Sequence, residues 1–222
     1  MESHICQNRD VKNTEVQSRP PTSHERMTGL PWDASYHPGP APWDIGGPQP
    51  AVVRLATEGR FAGAVLDVGC GTGANALHLA ARGAAVVGVE VAERALAMAR
   101  AGARELGLDV EFVSEDALHL ERLGRTFDVV LDSGLFHTFD GDERAEYVAS
   151  LRSVTKPGAT LFILCFSDEG PDTGPHPVTQ DDLRAAFHPG SGWEVVSIER
   201  ERIHTRFHEQ GAPGWLATIR RI

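Results

Sequence analysis

Between Ala64 and Ala80 the chain reads AVLDVGCGTGANALHLA: a short apolar run, a turn with three glycines in five residues, then apolar positions at helical spacing. A strand that turns this tightly into a helix belongs in a layered α/β architecture, because the helix must fold back over the sheet to bury its apolar stripe. The alternation continues downstream. The first helix, ANALHLAARG, ends at Gly83, AAVVGVE reads as a strand, and AERALAMARAGARELG reads as a helix ending at Gly107. DVEFVSED and FDVVLDS are strands, GDERAEYVASLRSVTKPG is a helix stopped by Pro157 and Gly158, and ATLFILCFS is a further strand. Strands separated by helices pair in parallel and are covered on both faces. The tail departs from this pattern. TQDDLRAAF is a helix opened by Thr179 as N-cap, while WEVVSIERERI and GWLATIRRI are strands whose link is too short for a crossover helix, so they lie antiparallel. The expected fold is a Rossmann-like, doubly wound α/β sheet of seven strands with a terminal antiparallel hairpin.

At 222 residues the chain can bury one sizeable core. No apolar run approaches the roughly eighteen residues of a membrane span, so no membrane partner is expected. The formal net charge of −10 has the wrong sign for gripping a phosphate backbone, which argues against a nucleic-acid partner. Cys6, Cys70 and Cys165 are widely spaced with no CxxC pair, and suit a reducing cytoplasm better than a disulfide framework or a zinc ribbon. Residues 1–29 are polar, lack the apolar core of a signal peptide and read as a disordered leader. Residues 30–50, LPWDASYHPGPAPWDIGGPQP, set Trp32, Tyr36 and Trp43 among prolines and glycines and read as an aromatic arm. The main domain, residues 51–222, is entered by a helix from about Ala51.

In such a sheet, ligands bind beyond the carboxyl ends of the strands, near the point where strand order reverses. Gly69, Gly71 and Gly73 fall there and let the backbone approach a ligand. Gly69, Gly71 and Ala74 also satisfy the loose G-x-G-x-x-A dinucleotide pattern, so a nicotinamide or flavin oxidoreductase is the alternative of a different class. Three carboxylates bear on that choice. Asp67 would repel a pyrophosphate but not a cationic ligand. Glu90, ending the second strand, is placed to accept both hydroxyls of a ribose, which either ligand carries. Asp116, followed by Ala117, can accept from an adenine amino group or cap a helix. Together they describe a ligand with an amino group, a ribose and an adenine, and no phosphate.

S-adenosylmethionine fits that description. LDVGCGTG, VVGVE, SEDAL and FDVVLDS, in this order and spacing, resemble the successive motifs of class I S-adenosylmethionine-dependent methyltransferases, and KPGATLFIL is similar to the segment preceding their fifth strand. Upstream, PWDIGGPQPAVVRL is similar to the PWD-x-G-x-x-x-P element of a small-molecule branch containing thiol, halide, thiopurine and bacterial heterocycle methyltransferases. The resemblance implies an arm folded over the cofactor, with Trp32, Tyr36 and Trp43 in contact with it. Through DSGLFHTFD and LCFSDEGPDTGPHPVTQDDLRAAF it further implies a methyl acceptor like the hydroxyquinolone toxins, and so a detoxifying role, with a thiol or halide as the alternative acceptor. Two positions depart from the pattern: Tyr36 stands where plant members have tryptophan, and Gly47 where the branch usually has arginine.

Within this reading His137, just past the fourth strand, is the candidate catalytic group, acting as a base or as an orienting hydrogen-bond partner. Ser133, on the same turn, supplies backbone contacts to the cofactor. Ser167 to Pro177 is a proline- and glycine-rich loop on the ligand side, able to close over substrate. His204 and His208 have H-x-x-x-H spacing but no evident carboxylate partner, so they read as a surface pair and no metal is expected.

Overall fold

The computed structural model describes residues 19–170 and 175–222. The helices are α1 (Ser23–Thr28), α2 (Pro50–Thr57), α3 (Ala74–Ala81), α4 (Glu93–Leu106), α5 (Gly141–Ser153) and α6 (Gln180–Ala186). The strands are β1 (Ala64–Val68), β2 (Ala85–Glu90), β3 (Glu111–Ser114), β4 (Phe127–Ser133), β5 (Thr155–Phe166), β6 (Trp193–Thr205) and β7 (His208–Arg221). They form one sheet in the order β3-β2-β1-β4-β5-β7-β6. The first five pair in parallel, and β7 lies antiparallel between β5 and β6. This is the expected doubly wound sheet. Strand order reverses between β1 and β4, which opens a crevice at their carboxyl ends.

The central strands are buried on both faces because helices cover both sides. Leu66, Val68, Val130 and Ile163 pack against Tyr147, Leu151 and Trp193 on one face. Val65, Leu131, Phe162 and Leu164 pack against Val52, Leu79 and Leu96 on the other. Each strand alternates its apolar residues between the two layers, as a period of two requires.

Three expectations are corrected. The leader does not run unstructured to Gly29: α1 forms within it, with a capping box between Thr22 and Glu25, and Arg26 reaches Asp140 at 2.6 Å and Glu143 at 3.0 Å on the body of the domain. Helix α5 stops at Ser153, ahead of Pro157. Lys156 precedes a proline and is thereby biased towards extended backbone, and Phe127 N–H donates to the Val154 carbonyl (2.8 Å), drawing Thr155 into the sheet. The hairpin strands extend past their apolar runs at the turn, β6 to Thr205 and β7 from His208, with Thr205 paired to His208, so both histidines of the H-x-x-x-H pair are strand residues. Residues 1–18, with Cys6, and residues 171–174 of the Ser167–Pro177 loop lie outside the described residues.

Candidate active site

The crevice is a cavity lined by the glycine turn, the ends of β2 and β4, α1 and the arm. The cavity has roughly 1310 Å³ of space free of protein atoms, open mouth included.

Of the residues expected at the cofactor, Trp32, Tyr36, Trp43, Gly69, Gly71, Glu90, Asp116, Ala117 and Ser133 line the cavity, as does His137. Asp67 and Gly73 do not. Gly73 is the N-cap of α3 at φ +80°, and a Cβ there would meet Phe112 and Ala99 side chains at 2.8–2.9 Å, so its role is to let α3 close on β3 and α4. Asp67 is 1% exposed beneath the turn, with Oδ2 unpartnered. Burial, reinforced by the charges of Asp132 and Glu90, pushes its carboxyl up to about 8.

Glu90 is held by the backbone. Its Oε1 accepts from Val91 N–H (2.8 Å) and Ala92 N–H (2.9 Å), and its Oε2 from Gly71 N–H (3.1 Å). A carboxylate has about four acceptor positions, so Oε2 alone keeps one for a ligand. The expected two-oxygen grip on a ribose is reduced to one. Burial raises its pKa, with the three N–H groups opposing. Asp116 is a cap: Oδ1 accepts from Leu118 N–H (3.0 Å) at the start of a 3-10 turn at Ala117–Leu123, and the residue also lines the cavity.

The arm closes the roof. Trp43 Nε1–H donates to the Tyr36 hydroxyl (3.3 Å), and the Trp32 and Trp43 rings meet edge to face at 5.7 Å. Thr72 Oγ1–H donates to Asp44 Oδ2 (2.8 Å), fastening the arm to the glycine turn. Gln49 ties three elements: its N–H donates to Asn75 Oδ1 (2.9 Å) and its side-chain amide exchanges two bonds with the backbone of His204.

His137 sits in the short turn after β4. That turn is held by Asp132, whose Oδ1 accepts from Leu135 N–H (2.9 Å) and Phe136 N–H (3.3 Å), and whose Oδ2 accepts from the Tyr147 hydroxyl (2.9 Å). Burial pushes Asp132 up to about 6. Phe166 N–H donates to His137 Nδ1 (3.4 Å), and the imidazole lies against the Phe166 ring at 4.5 Å. Burial, helped by His24, Arg144 and His176, pushes His137 down to about 3, so the ring is neutral.

Sequence reasoning missed Arg19, Thr22 and His24 from the N-terminal segment, and it placed His204 at the surface although His204 lines the cavity. The signal for the first group was the spacing Thr22-x-x-Glu25, a capping box. His208 bonds Thr205 Oγ1 through Nδ1 (2.9 Å). No group of three or more potential metal ligands occurs among the described residues.

The site suits an adenosyl ligand: one acceptor position faces the cavity at Glu90, and Gly71 leaves room where a Cβ would come within 3.1 Å of the Tyr36 hydroxyl. Comparisons with known proteins agree. Residues 65–158 match the model of a methyltransferase domain. The chain is 36% identical over 178 residues to the 2-heptyl-1-hydroxyquinolin-4(1H)-one methyltransferase of Mycobacteroides abscessus, covering 77% of this chain and 78% of that one. It is 29% identical over 194 residues to the probable thiol methyltransferase 2 of Arabidopsis thaliana, covering 84% and 85%. A solved structure concerned with conversion of a disulfide bond into a thioacetal group during echinomycin biosynthesis is 38% identical, with a TM-score of 0.77 over 86% of this chain and 91% of that one. The oxidoreductase alternative falls, and the chain belongs to the class I S-adenosylmethionine-dependent methyltransferases.

Proposed function

We propose that this methyltransferase acts on an oxygen or nitrogen of a small, flat heteroaromatic molecule of the hydroxyquinolone type, with a thiol as the alternative acceptor. The observation that carries the reading is the ring lining of the cavity beside the glycine turn. His24 stacks on Trp32 at 4.3 Å and 15°, Trp43 stands edge-on to both, and Phe166 backs His137. Such walls select a planar guest, and π faces favour a cationic neighbour. The acceptor named for the mycobacterial relative has this shape.

S-adenosylmethionine supplies a methyl group on a sulfonium. The chain's part is to bind, align and dry the site. Tyr36, Gly71, Glu90 and Asp116 border the cofactor half, and the arm, fastened by Asp44 and Gln49, keeps water out. Alignment supplies much of the acceleration in an in-line displacement, and exclusion of water strengthens every fixed dipole in the site. We assign removal of a toxic heterocycle as the biological role and a reducing cytoplasm as the setting, in keeping with the free thiols of Cys70 and Cys165. No helix among the described residues is long and apolar enough to cross a membrane.

The test is a transfer assay with methyl-labelled S-adenosylmethionine against hydroxyquinolones, phenols, thiols and halides, scored by mass spectrometry. A singly methylated heteroaromatic product supports the reading. Turnover of thiols alone replaces it with the alternative.

A further inference from the structure

Three histidines, His24, His137 and His204, line the cavity, and the surroundings of the first two differ. At His137, Nδ1 accepts the Phe166 N–H. A proton on Nδ1 would point at that amide proton, so the neutral ring carries its proton on Nε2 and offers the cavity a donor. To serve as a base the ring would have to give up that bond and take on charge at a position 5% exposed. His24 is not committed in this way. It comes from α1, lines the cavity and stacks on Trp32, and its Nδ1 is buried with no partner.

We propose that His24 is the proton acceptor of the methyl-transfer reaction and that His137 is the donor that positions the acceptor molecule, an assignment that rests on the heteroatom-methyltransferase reading above. The acceptor's O–H or N–H gives its proton to the imidazole of His24, which lines the cavity. The electron pair left on that heteroatom forms the bond to the methyl carbon as the carbon–sulfur bond breaks and its pair stays on sulfur. The imidazolium then returns the proton to solvent through the mouth. His137 Nε2–H meanwhile bonds a second polar atom of the acceptor, such as a ring carbonyl.

The groups around His24 fit a base that is neutral at rest. Burial lowers its affinity for a proton, the adjacent Glu25 opposes that, and His176 adds to it from the loop before α6. His137 faces it from the turn after β4. Glu25 is itself held by Arg19 (2.7 Å) and by the Thr22 and Trp32 backbone N–H groups (2.9 and 3.1 Å), so its charge stays beside His24.

The experiment uses two flat acceptors of similar shape: an N-hydroxyquinolone, acidic enough to ionise unaided, and a hydroxyquinoline whose phenolic proton remains at neutral pH. His24→Phe keeps the stack on Trp32 and removes the nitrogens; His24→Ala removes both. The expected result is that wild type methylates both acceptors. In the variants the ratio of kcat/KM for the weakly acidic to the acidic acceptor falls by about 100-fold or more, the range of a lost general base. The low-pH limb of the wild-type profile on the weakly acidic acceptor also disappears. Equal losses on both acceptors in both variants, or survival of that limb, overturn the assignment, as does a wild type that methylates the acidic acceptor alone. If wild type binds S-adenosylmethionine by calorimetry yet methylates neither, the acceptor reading itself falls and takes the role of His24 with it.

Discussion

The hydroxyl of Thr72, on the glycine turn, donates to Oδ2 of Asp44, on the arm, across 2.8 Å. The bond joins the floor of the cofactor site to its roof, so a ligand that enters or leaves must open it. A half-buried hydrogen bond to a carboxylate contributes about 1.5–3 kcal/mol. Asp44→Ala is therefore expected to speed release of S-adenosylmethionine by roughly tenfold. Stopped-flow fluorescence of Trp32 and Trp43 during displacement of the bound product would show it; an unchanged release rate would mean that the arm opens elsewhere.

Gly71 and Gly73 look equivalent in the motif but are not equivalent in the fold. At Gly71 a methyl group would press on the Tyr36 hydroxyl at 3.1 Å with φ at +54°, inside the cavity. At Gly73 it would collide with Phe112 and Ala99 at 2.8–2.9 Å with φ at +80°, inside the core. Left-handed backbone costs a non-glycine residue about 1–2 kcal/mol and overpacking about 1–3 more. Gly73→Ala is expected to lower Tm by roughly 5–15 °C. Gly71→Ala should lower it less and weaken cofactor binding more. Differential scanning calorimetry beside a binding titration separates the two effects.

That contrast marks what a sequence of this kind discloses. Strand and helix order follow from periodicity, and the turn between β1 and α3 announces itself by its glycines, because backbone geometry dictates both. Which atoms face the ligand does not follow from the motif. Asp67 and Gly73 share the motif with Gly69 and Gly71, yet they serve the floor beneath the turn and the packing behind it. Helix α1 spans six residues, too few to show an apolar stripe, and its docking through Arg26 to Asp140 and Glu143 joins positions more than a hundred residues apart. His204 was hidden by the polar run ERERIHT, which is an edge strand whose exposed face dominates its composition and whose inner face reaches the cavity.

Asp67 makes stability depend on pH in an unusual direction for a carboxylate. Its folded value of about 8 lies above the ordinary 3.8. Between those values the folded state holds more protons than the unfolded one, so this group stabilises the fold below about pH 4 and that contribution is lost as pH rises towards 8. Asp67→Asn removes the dependence. Relative to wild type, the variant should gain on the order of 4 kcal/mol between pH 5 and pH 8, read from urea midpoints of the ligand-free protein. A constant difference between the two proteins across that range would place the proton elsewhere.

Glu90 offers the sharpest separation of charge from shape. Three backbone N–H groups, on Gly71, Val91 and Ala92, converge on its two oxygens. In Glu90→Gln one oxygen becomes an NH₂ group of nearly the same size. Turning the amide so that its oxygen meets Val91 and Ala92 saves two bonds and sets the NH₂ against the Gly71 N–H. The opposite orientation sets it against two donors and costs more. The first arrangement prevails, so the glycine turn is pushed from its seat and the one acceptor position left for a ribose hydroxyl becomes a donor. Losing a hydrogen bond to a charged group and leaving a buried donor unpaired each cost about 1–3 kcal/mol. Affinity for S-adenosylmethionine should therefore fall by about 100-fold or more, while Glu90→Ala, which removes the opposing donor along with the acceptor, should retain the better-seated turn of the two variants. Amide hydrogen exchange at Gly71 would show faster exchange in Gln than in Ala; the reverse order would mean that the carboxylate holds the turn by its charge alone.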